Sequence, residues 1–261
     1  MWKRSELKAR GKINFKRCYW KCVLICFITF ILAGGLNSGT VSNSVNNVTD
    51  SISNNYYDDN EYYDEELQLM PEVDNFISSG FFALFGGLIV IVGIIGFVIK
   101  LLIVYPIEVG KNNFFMGIRE EESSLDSLIC VYKSGKLKNT IITMFLKGLF
   151  QGLWTLLLVI PGIVKYYEYR MIPYILSENP SISRQRAFEI SKDMMRGNKW
   201  SAFILDLSFL GWEILSLLTL GILGIFYVNP YVQSTNAELY AFLREDALIK
   251  GYASNNELVG F

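Results

Sequence analysis

The 261-residue sequence contains no histidine and only four cysteines. Histidine is the commonest general base and the commonest metal ligand, so its absence removes the usual routes to catalysis and metal binding. Three of the cysteines, Cys18, Cys22 and Cys26, recur every four residues and would share one face of a helix. A metal or redox role is the weaker alternative, and the pattern favours helix packing. We therefore expect no cofactor, no metal and no disulfide framework.

Charge is also sparse in this chain. Asp, Glu, Lys and Arg make up 19% of the residues, whereas 51% are hydrophobic and 15% are aromatic. This composition is too apolar for an ordinary soluble domain and indicates a membrane protein. The formal net charge of -1 gives no reason to expect a nucleic-acid partner. The sequence therefore predicts that the lipid bilayer is the main partner of the chain.

Two segments near the amino terminus are strongly biased to one sign of charge. Residues 1–21 hold eight Lys or Arg against one Glu, whereas residues 37–79 hold nine Asp or Glu and no Lys or Arg. The positive-inside rule places the first segment in the cytoplasm and the acidic loop outside it. The loop lacks the spacing and glycine of a calcium loop, and its polarity is typical of disorder. Binding of cations or of a protein partner is the alternative for this loop.

Hydrophobic runs predict an all-α fold, a polytopic membrane helix bundle of about six transmembrane helices arranged as three hairpins. The spans are predicted at 22–36, 81–106, 141–160, 162–178, 201–219 and 225–243. The membrane domain, 22–243, follows the basic N-terminal segment and precedes a cytoplasmic tail, 244–261. The amphipathic segment 181–199 is predicted to be a helix on the cytoplasmic surface.

The run PGIVKYYEYRMIPYILSENP, 161–180, decides the topology of the last four spans. Lys165, Glu168 and Arg170 interrupt the apolar character of this run. The run is therefore either the solvent-exposed end of the third span or a separate fourth span. The basic segment 181–199 belongs inside, so the chain has to return across the membrane before it. We therefore predict a short fourth span with Pro161-Gly162 as the outer turn, and both termini in the cytoplasm.

A short internal repeat supports the hairpin arrangement. GLWTLLLVIPGI, 152–163, resembles GWEILSLLTLGI, 211–222, and the spans that follow contain Pro-Tyr at Pro173 and Pro230. Pro106 lies late in the second span and gives a looser version of the same pattern. Repeats of this kind are common in transporters, and also in proteins that grew by duplication, and so short a match also arises by chance.

Four charged residues within the predicted spans are the candidate site: Lys165, Arg170, Asp206 and Glu213. At about 1.5 Å per residue, Arg170 and Asp206 lie roughly 12 and 9 Å from the inner ends of their spans, and Lys165 and Glu213 both roughly 20 Å. A charge at such depth costs several kcal/mol unless it is paired or hydrated. We therefore predict two intramembrane ion pairs, Arg170–Asp206 and Lys165–Glu213, while Glu168 has no predicted partner. The pairs either hold the bundle together or form a polar pathway.

Several short motifs together resemble those of a known family. They are Trp2, Leu7-Lys8 and Tyr19-Trp20; Pro161-Gly162-Ile163, Tyr169, Met171 and Pro173-Tyr174-Ile175-Leu176; Ser191, Met194-Met195 and Gly197-Asn198-Lys199-Trp200; and Asp206-Leu207-Ser208-Phe209, Gly211-Trp212, Asn229-Pro230-Tyr231 and Ala237-Glu238-Leu239-Tyr240. The sequence resembles the DUF975 family of uncharacterised bacterial multi-pass integral membrane proteins. The resemblance implies a protein of the bacterial cell membrane. It implies no activity and no functional residue.

The sequence predicts a protein that is not an enzyme. It has no P-loop, no glycine-rich dinucleotide fingerprint and no nucleophile elbow, so an enzyme would have to rely on carboxylates such as Glu108 or Glu238. We expect a protein that binds a lipid or a partner in the cell envelope, with the partner at the 37–79 loop or the basic 181–199 helix. The alternative is a small-solute transporter or channel that uses the intramembrane charges.

Overall fold

The computed structural model describes residues 2–32, 87–120 and 124–260, and all regular structure in these ranges is helical. The acidic loop 37–79, the end of the first predicted span and the start of the second lie outside these ranges. The chain divides into two compact units, Met1–Thr29 with Leu101–Phe261, and Phe30–Lys100. The basic N-terminal segment lies in the same unit as residues 101–243 of the predicted membrane domain.

Twelve α-helices are numbered in chain order along the described ranges. They are α1 Arg4–Arg17, α2 Tyr19–Leu32, α3 at 87–99, α4 Tyr105–Arg119, α5 Cys130–Lys133, α6 Leu137–Leu157, α7 Val159–Glu168, α8 Ile172–Glu178, α9 Arg184–Met194, α10 Lys199–Leu207, α11 Leu210–Leu218 and α12 Asn229–Ile249. A 3₁₀ turn covers Leu125–Ile129, and π-helical turns cover Lys100–Val104 and Gly224–Val228. In the second unit, the side chains of α3 are exposed along its length.

Three helices that begin with a proline form the centre of the first unit. Helices α4, α8 and α12 each carry a proline as their second residue. Pro106 and Pro230 directly follow the two π-helical turns, which is the usual kind of place where a helix accommodates a proline. Tyr174 of α8 stacks on Tyr240 of α12 with ring centroids 4.9 Å apart. Asn113 of α4 donates a hydrogen bond to the carbonyl of Ser177 in α8, at 3.0 Å. The core therefore lies among the helices that follow the predicted outer turns.

Helix α1 packs directly against α12. Its buried residues Leu7, Gly11 and Phe15 are four apart and share one face of the helix. A Cβ at Gly11 would lie 2.8 Å from Thr235 Oγ1 and 2.9 Å from Thr235 Cα, so the two backbones meet at this glycine. The opposite face of α1 carries the exposed basic residues.

The first helical hairpin consists of α6 and α7 and turns at Leu158. Leu158 is extended, with φ −155° and ψ 133°, and a new helix begins at the next residue. The turn thus precedes Pro161-Gly162, where the sequence predicts it. Pro161 is the third residue of α7, where a backbone N–H has no partner within the helix in any case, so the proline begins a helix here and does not break one.

In the second helical hairpin, α10 and α11 form one arm. The other arm is the π turn Gly224–Val228 and the start of α12. The turn between the arms holds Leu220 and Gly221 in the left-handed region, with φ of 53° and 84°. The Gly221 N–H donates to the carbonyl of Ser216 at 2.8 Å, the bond expected where a glycine ends a helix. Trp212 and Tyr227, on opposite arms, have ring centroids 5.3 Å apart.

Within the described ranges, three helices are long and apolar enough to cross a membrane: Gly87–Arg119, Leu137–Leu157 and Lys199–Leu218. The predicted fourth span is divided between α7 and α8, and all seven residues of α8 are buried in the protein. The predicted sixth span falls on the π turn and the first two thirds of α12, whose residues are largely buried. The fold is therefore helical with three candidate membrane spans, and the six-span arrangement stays a prediction.

Candidate functional site

Arg170 and Asp206 form a bidentate ion pair between the α7–α8 turn and the end of α10. Arg170 Nη1 lies 2.7 Å from Asp206 Oδ2, and Nη2 lies 2.8 Å from Oδ1. The Tyr167 hydroxyl donates to the same carboxylate at 2.9 Å, and Arg170 also donates to Asn236 Oδ1 at 2.9 Å. The Arg170 side chain is 9% exposed. This geometry is the strongest form of arginine–carboxylate contact and joins three elements.

Lys165 and Glu213 do not form the second predicted pair. Lys165 lies 2.6 Å from Glu168, three residues along the same helix, where neighbouring side chains meet. Glu213 is exposed on α11 and has no ion pair with the residues that the structure describes. A partner three residues away on the same helix is reached without any tertiary contact, so Lys165 binds Glu168 and not the distant Glu213.

Glu168, for which the sequence suggested no partner, binds two lysines. Besides Lys165, the ammonium of Lys199 lies 2.5 Å from Glu168 Oε1. The Glu168 carbonyl accepts a hydrogen bond from Ser191 Oγ at 2.6 Å, and Ser191 in turn accepts one from the Met171 N–H at 3.3 Å. The buried carboxylate therefore ties the start of α10 to α7, while Ser191 ties α9 to the α7–α8 turn.

A groove of about 440 Å³ runs between α9 and the first hairpin. Its walls are formed by Leu146, Phe150, Lys165, Glu168, Tyr169, Arg184, Gln185, Phe188, Glu189 and Lys192. The ring of Phe188 lies edge-on to Phe150 and Tyr169, with centroids 5.8 and 5.0 Å away. Arg184 and Lys192 are exposed, and neither makes an ion pair with a described residue. The groove thus has an aromatic wall and two free cations on its rim.

A second buried carboxylate, Glu178, holds the carboxyl-terminal segment. Its side chain is 0% exposed and accepts hydrogen bonds from Tyr240 Oη at 2.6 Å, Arg244 Nε at 2.7 Å and the Gly260 N–H at 2.7 Å. Arg244 also donates to the carbonyl of Leu258 at 3.0 Å. These contacts fasten residues 252–260 to the core, and nothing in the hydropathy pattern indicated them.

The carboxylates considered for catalysis are paired in the structure. Glu238 is 4% exposed and accepts a hydrogen bond from Asn14 at 2.7 Å, with Arg119 at 3.4 Å. Glu108 lies 3.6 Å from Lys147. Among the described residues there is no group of three or more His, Cys, Asp or Glu that could hold a metal ion. Cys22 and Cys26 are buried in the core, where they pack as small apolar residues.

A weak sequence pattern, independent of hydropathy, marks the three central helices. Each has a small residue four positions after its proline and an asparagine six positions after it: Pro106-Gly110-Asn112, Pro173-Ser177-Asn179 and Pro230-Ser234-Asn236. The three asparagines occupy different environments. Asn112 is buried, Asn179 donates to the carbonyl of Glu257 at 3.1 Å, and Asn236 accepts from Arg170. The signal would have grouped these helices as equivalent elements of the core.

The geometry defines a helical protein with candidate membrane spans and a set of paired charges at the bases of two hairpins. Residues 155–247 match the family described as "Protein of unknown function (DUF975)", which confirms the resemblance to that family over this stretch. The stretch contains Arg170, Asp206 and Glu168, together with α9 and most of α12. No curated protein and no solved structure matches the chain.

Proposed function

We propose that this is a multi-pass protein of the bacterial cell membrane, with both termini in the cytoplasm, that binds anionic lipid and catalyses no reaction. Its candidate membrane spans and the basic segments beside them support the location. The groove between α9 and the first hairpin is the observation that carries the lipid-binding proposal.

The groove offers complementary surfaces to the two parts of a phospholipid. Arg184, Phe188 and Lys192 follow one another at intervals of four on α9, so two cations flank an aromatic ring on one side of the helix. An anionic headgroup would contact the two cations, and an acyl chain would lie along Phe188 and Phe150. Juxtamembrane Lys and Arg gain about 1 kcal/mol each from an anionic membrane surface.

The paired charges support structural roles and weigh against the transport alternative. A pathway for a solute needs a charge that can exchange its protein partner for the solute. Both terminal nitrogens of the Arg170 guanidinium instead donate hydrogen bonds to Asp206, and Nη2 also donates to Asn236. Glu168 is likewise occupied by two lysines. A protein partner bound through the 37–79 loop stays a prediction from the sequence.

Lipid binding by the purified protein tests the proposal. Native mass spectrometry would compare phosphatidylglycerol with phosphatidylcholine for the unmodified protein and for the double variant Arg184→Ala/Lys192→Ala. Because the variant loses two charge-assisted contacts, we expect its phosphatidylglycerol affinity to fall about tenfold or more. Phosphatidylcholine binding should change little.

The matched control is Lys12→Ala, which removes an exposed cation from α1, away from the groove. We expect it to leave phosphatidylglycerol binding close to that of the unmodified protein. Equal affinity of the unmodified protein for the two lipids would contradict the proposal. So would an unchanged phosphatidylglycerol affinity in the double variant.

A further inference from the structure

We propose that both helical hairpins insert into the cytoplasmic leaflet and turn back near the middle of the bilayer, so that their partner is the acyl region of a single leaflet. The insertion rests on the membrane location proposed above, but not on lipid binding in the groove. Hydropathy alone predicts the opposite arrangement, in which each hairpin crosses the membrane twice.

The turns of both hairpins are apolar and exposed. Residues 156–160 read LLLVI and residues 217–223 read LLTLGIL, without a single charge. Leu156 is 86% exposed, Leu217 is 78% exposed and Leu220 is 93% exposed. A turn that emerges into water on the far side of a membrane normally carries polar residues, whereas these turns present hydrocarbon to their surroundings.

Part of the backbone at each turn is hydrogen-bonded within the protein, which lowers the cost of placing the turn in lipid. In the first turn, the Leu158 N–H donates to the carbonyl of Trp154 at 3.0 Å, and Pro161 has no N–H to satisfy. In the second turn, the Gly221 N–H and the Thr219 hydroxyl both donate to the carbonyl of Ser216, at 2.8 and 3.0 Å.

The hairpins reach about half the thickness of a membrane. At about 1.5 Å per residue, Leu158 lies roughly 16 Å beyond Lys147 on one arm and roughly 15 Å beyond Glu168 on the other. Leu220 lies roughly 21 Å beyond Asp206 by the same estimate. The hydrocarbon core is about 30 Å thick and one leaflet about 15 Å, so the arms of the first hairpin match one leaflet. For the second hairpin, a turn at the middle of the bilayer puts Asp206 about 6 Å outside the hydrocarbon. The exposed apolar stretch 87–104 is different, since its rise of about 27 Å suits a full crossing.

The two hairpins point the same way. Arg170 contacts Asn236, Tyr174 stacks on Tyr240, and Glu178 contacts Arg244; the members of every pair are 66 positions apart in the sequence. A constant offset means that 170–178 and 236–244 run parallel. Both stretches run away from their own turns, so both turns lie on the same side of the core.

The cost of burying the Glu213 carboxylate in hydrocarbon is lower for insertion into one leaflet than for a full crossing. Glu213 is exposed on α11 and lies seven residues, or about 10 Å, before Leu220. In a full crossing, this carboxylate would face hydrocarbon, which costs several kcal/mol. With Leu220 at the middle of the bilayer, Glu213 lies within about 5 Å of the headgroups and can extend to them. The paired charges at the bases of the hairpins then lie at the membrane surface.

Cysteine labelling with a depth measurement tests the insertion. Leu158→Cys and Leu218→Cys would be made in the full chain with Cys18, Cys22, Cys26 and Cys130 replaced, and reacted in cells with a membrane-impermeant maleimide. We expect no labelling at either position from outside, and none from inside after the membrane is opened. A bimane attached to either cysteine in the purified, reconstituted protein should be quenched most by lipids brominated near the end of the acyl chain.

Ser181→Cys and Tyr57→Cys are the reference positions, expected to react from the inside and from the outside respectively. Labelling of Leu158→Cys or Leu218→Cys from outside would show a full crossing and overturn the proposal. Labelling only from inside, or strongest quenching near the headgroups, would overturn it as well. If the cysteine-free chain does not fold, the native cysteines are kept and each variant is compared with the unmodified protein. Loss of lipid selectivity in the groove would leave these depths unchanged, so the two proposals fail separately.

Discussion

At the scale of single residues, the Arg170–Asp206 pair is a bidentate contact with a buried arginine. Asp206→Asn leaves the guanidinium of Arg170, 9% exposed, without its charged partner. Breaking a buried pair from one side costs about 3 kcal/mol or more, because the remaining charge is left uncompensated. We expect a loss of that size in the free energy of unfolding of the detergent-solubilised protein, measured by denaturant titration.

Glu213→Gln is the control for this variant, since it removes a carboxylate that is exposed and has no ion pair in the described part of the chain. A surface change of this kind alters the free energy of unfolding by about 0.5 kcal/mol at most. Equal effects of Asp206→Asn and Glu213→Gln would show that the Arg170 contact does not stabilise the fold.

Among the elements, the first hairpin depends on the close approach of α6 and α7 at Gly162. A Cβ at this position would lie 2.5 Å from Thr155 Oγ1 and 2.7 Å from Thr155 Cα, so the helix backbone itself has to move. We expect Gly162→Ala to lower the free energy of unfolding by about 1–3 kcal/mol, the usual cost of overpacking. Thermal unfolding in detergent would measure the effect.

Gly152→Ala provides the matched control on the same hairpin. A Cβ at Gly152 meets nothing within 4 Å, and alanine favours a helix over glycine by about 1 kcal/mol. The control should therefore be neutral or slightly stabilising. A similar response of the two variants would contradict the close helix packing at Gly162.

At the scale of the whole molecule, Glu257 of the carboxyl-terminal segment binds Arg186 of α9. Arg186 Nε lies 2.5 Å from Glu257 Oε1, and Arg186 Nη2 donates to the carbonyl of Tyr252 at 2.7 Å. The hydrogen bond from Arg186 lowers the pKa of Glu257 from 4.5 to about 2. A lowered pKa in the folded state adds stability above the unfolded value, and this stability is lost as the pH falls from about 4.5 towards about 2.

Glu257→Gln should therefore be less stable than the unmodified protein at neutral pH and should approach it in acid. Melting temperatures between about pH 6 and about pH 2.5 would measure the difference. Glu245→Gln, which removes an exposed carboxylate from α12, should leave the pH profile unchanged. A difference between Glu257→Gln and the unmodified protein that stays constant with pH would contradict the pairing with Arg186.

Much of the local structure of this protein follows from short-range patterns. Hydropathy predicted helices at 141–160 and 201–219, and the structure has helices at Leu137–Leu157 and Lys199–Leu218. The spacing of Leu7, Gly11 and Phe15 is that of one helix face. Side-chain periodicity could not reveal that this face meets Thr235, because the contact joins residues more than 200 positions apart.

The sequence by itself determined that this chain is helical, apolar and suited to a membrane, because these properties depend on composition and on periods of a few residues. Only the tertiary structure decided where the hairpins turn and which charges meet. Leu158 replaced Pro161-Gly162 as the turn, Lys165 paired with Glu168, and α8 became part of the core. Such choices depend on helix packing and on desolvation shared by distant residues, and neither quantity is contained in a local window of sequence.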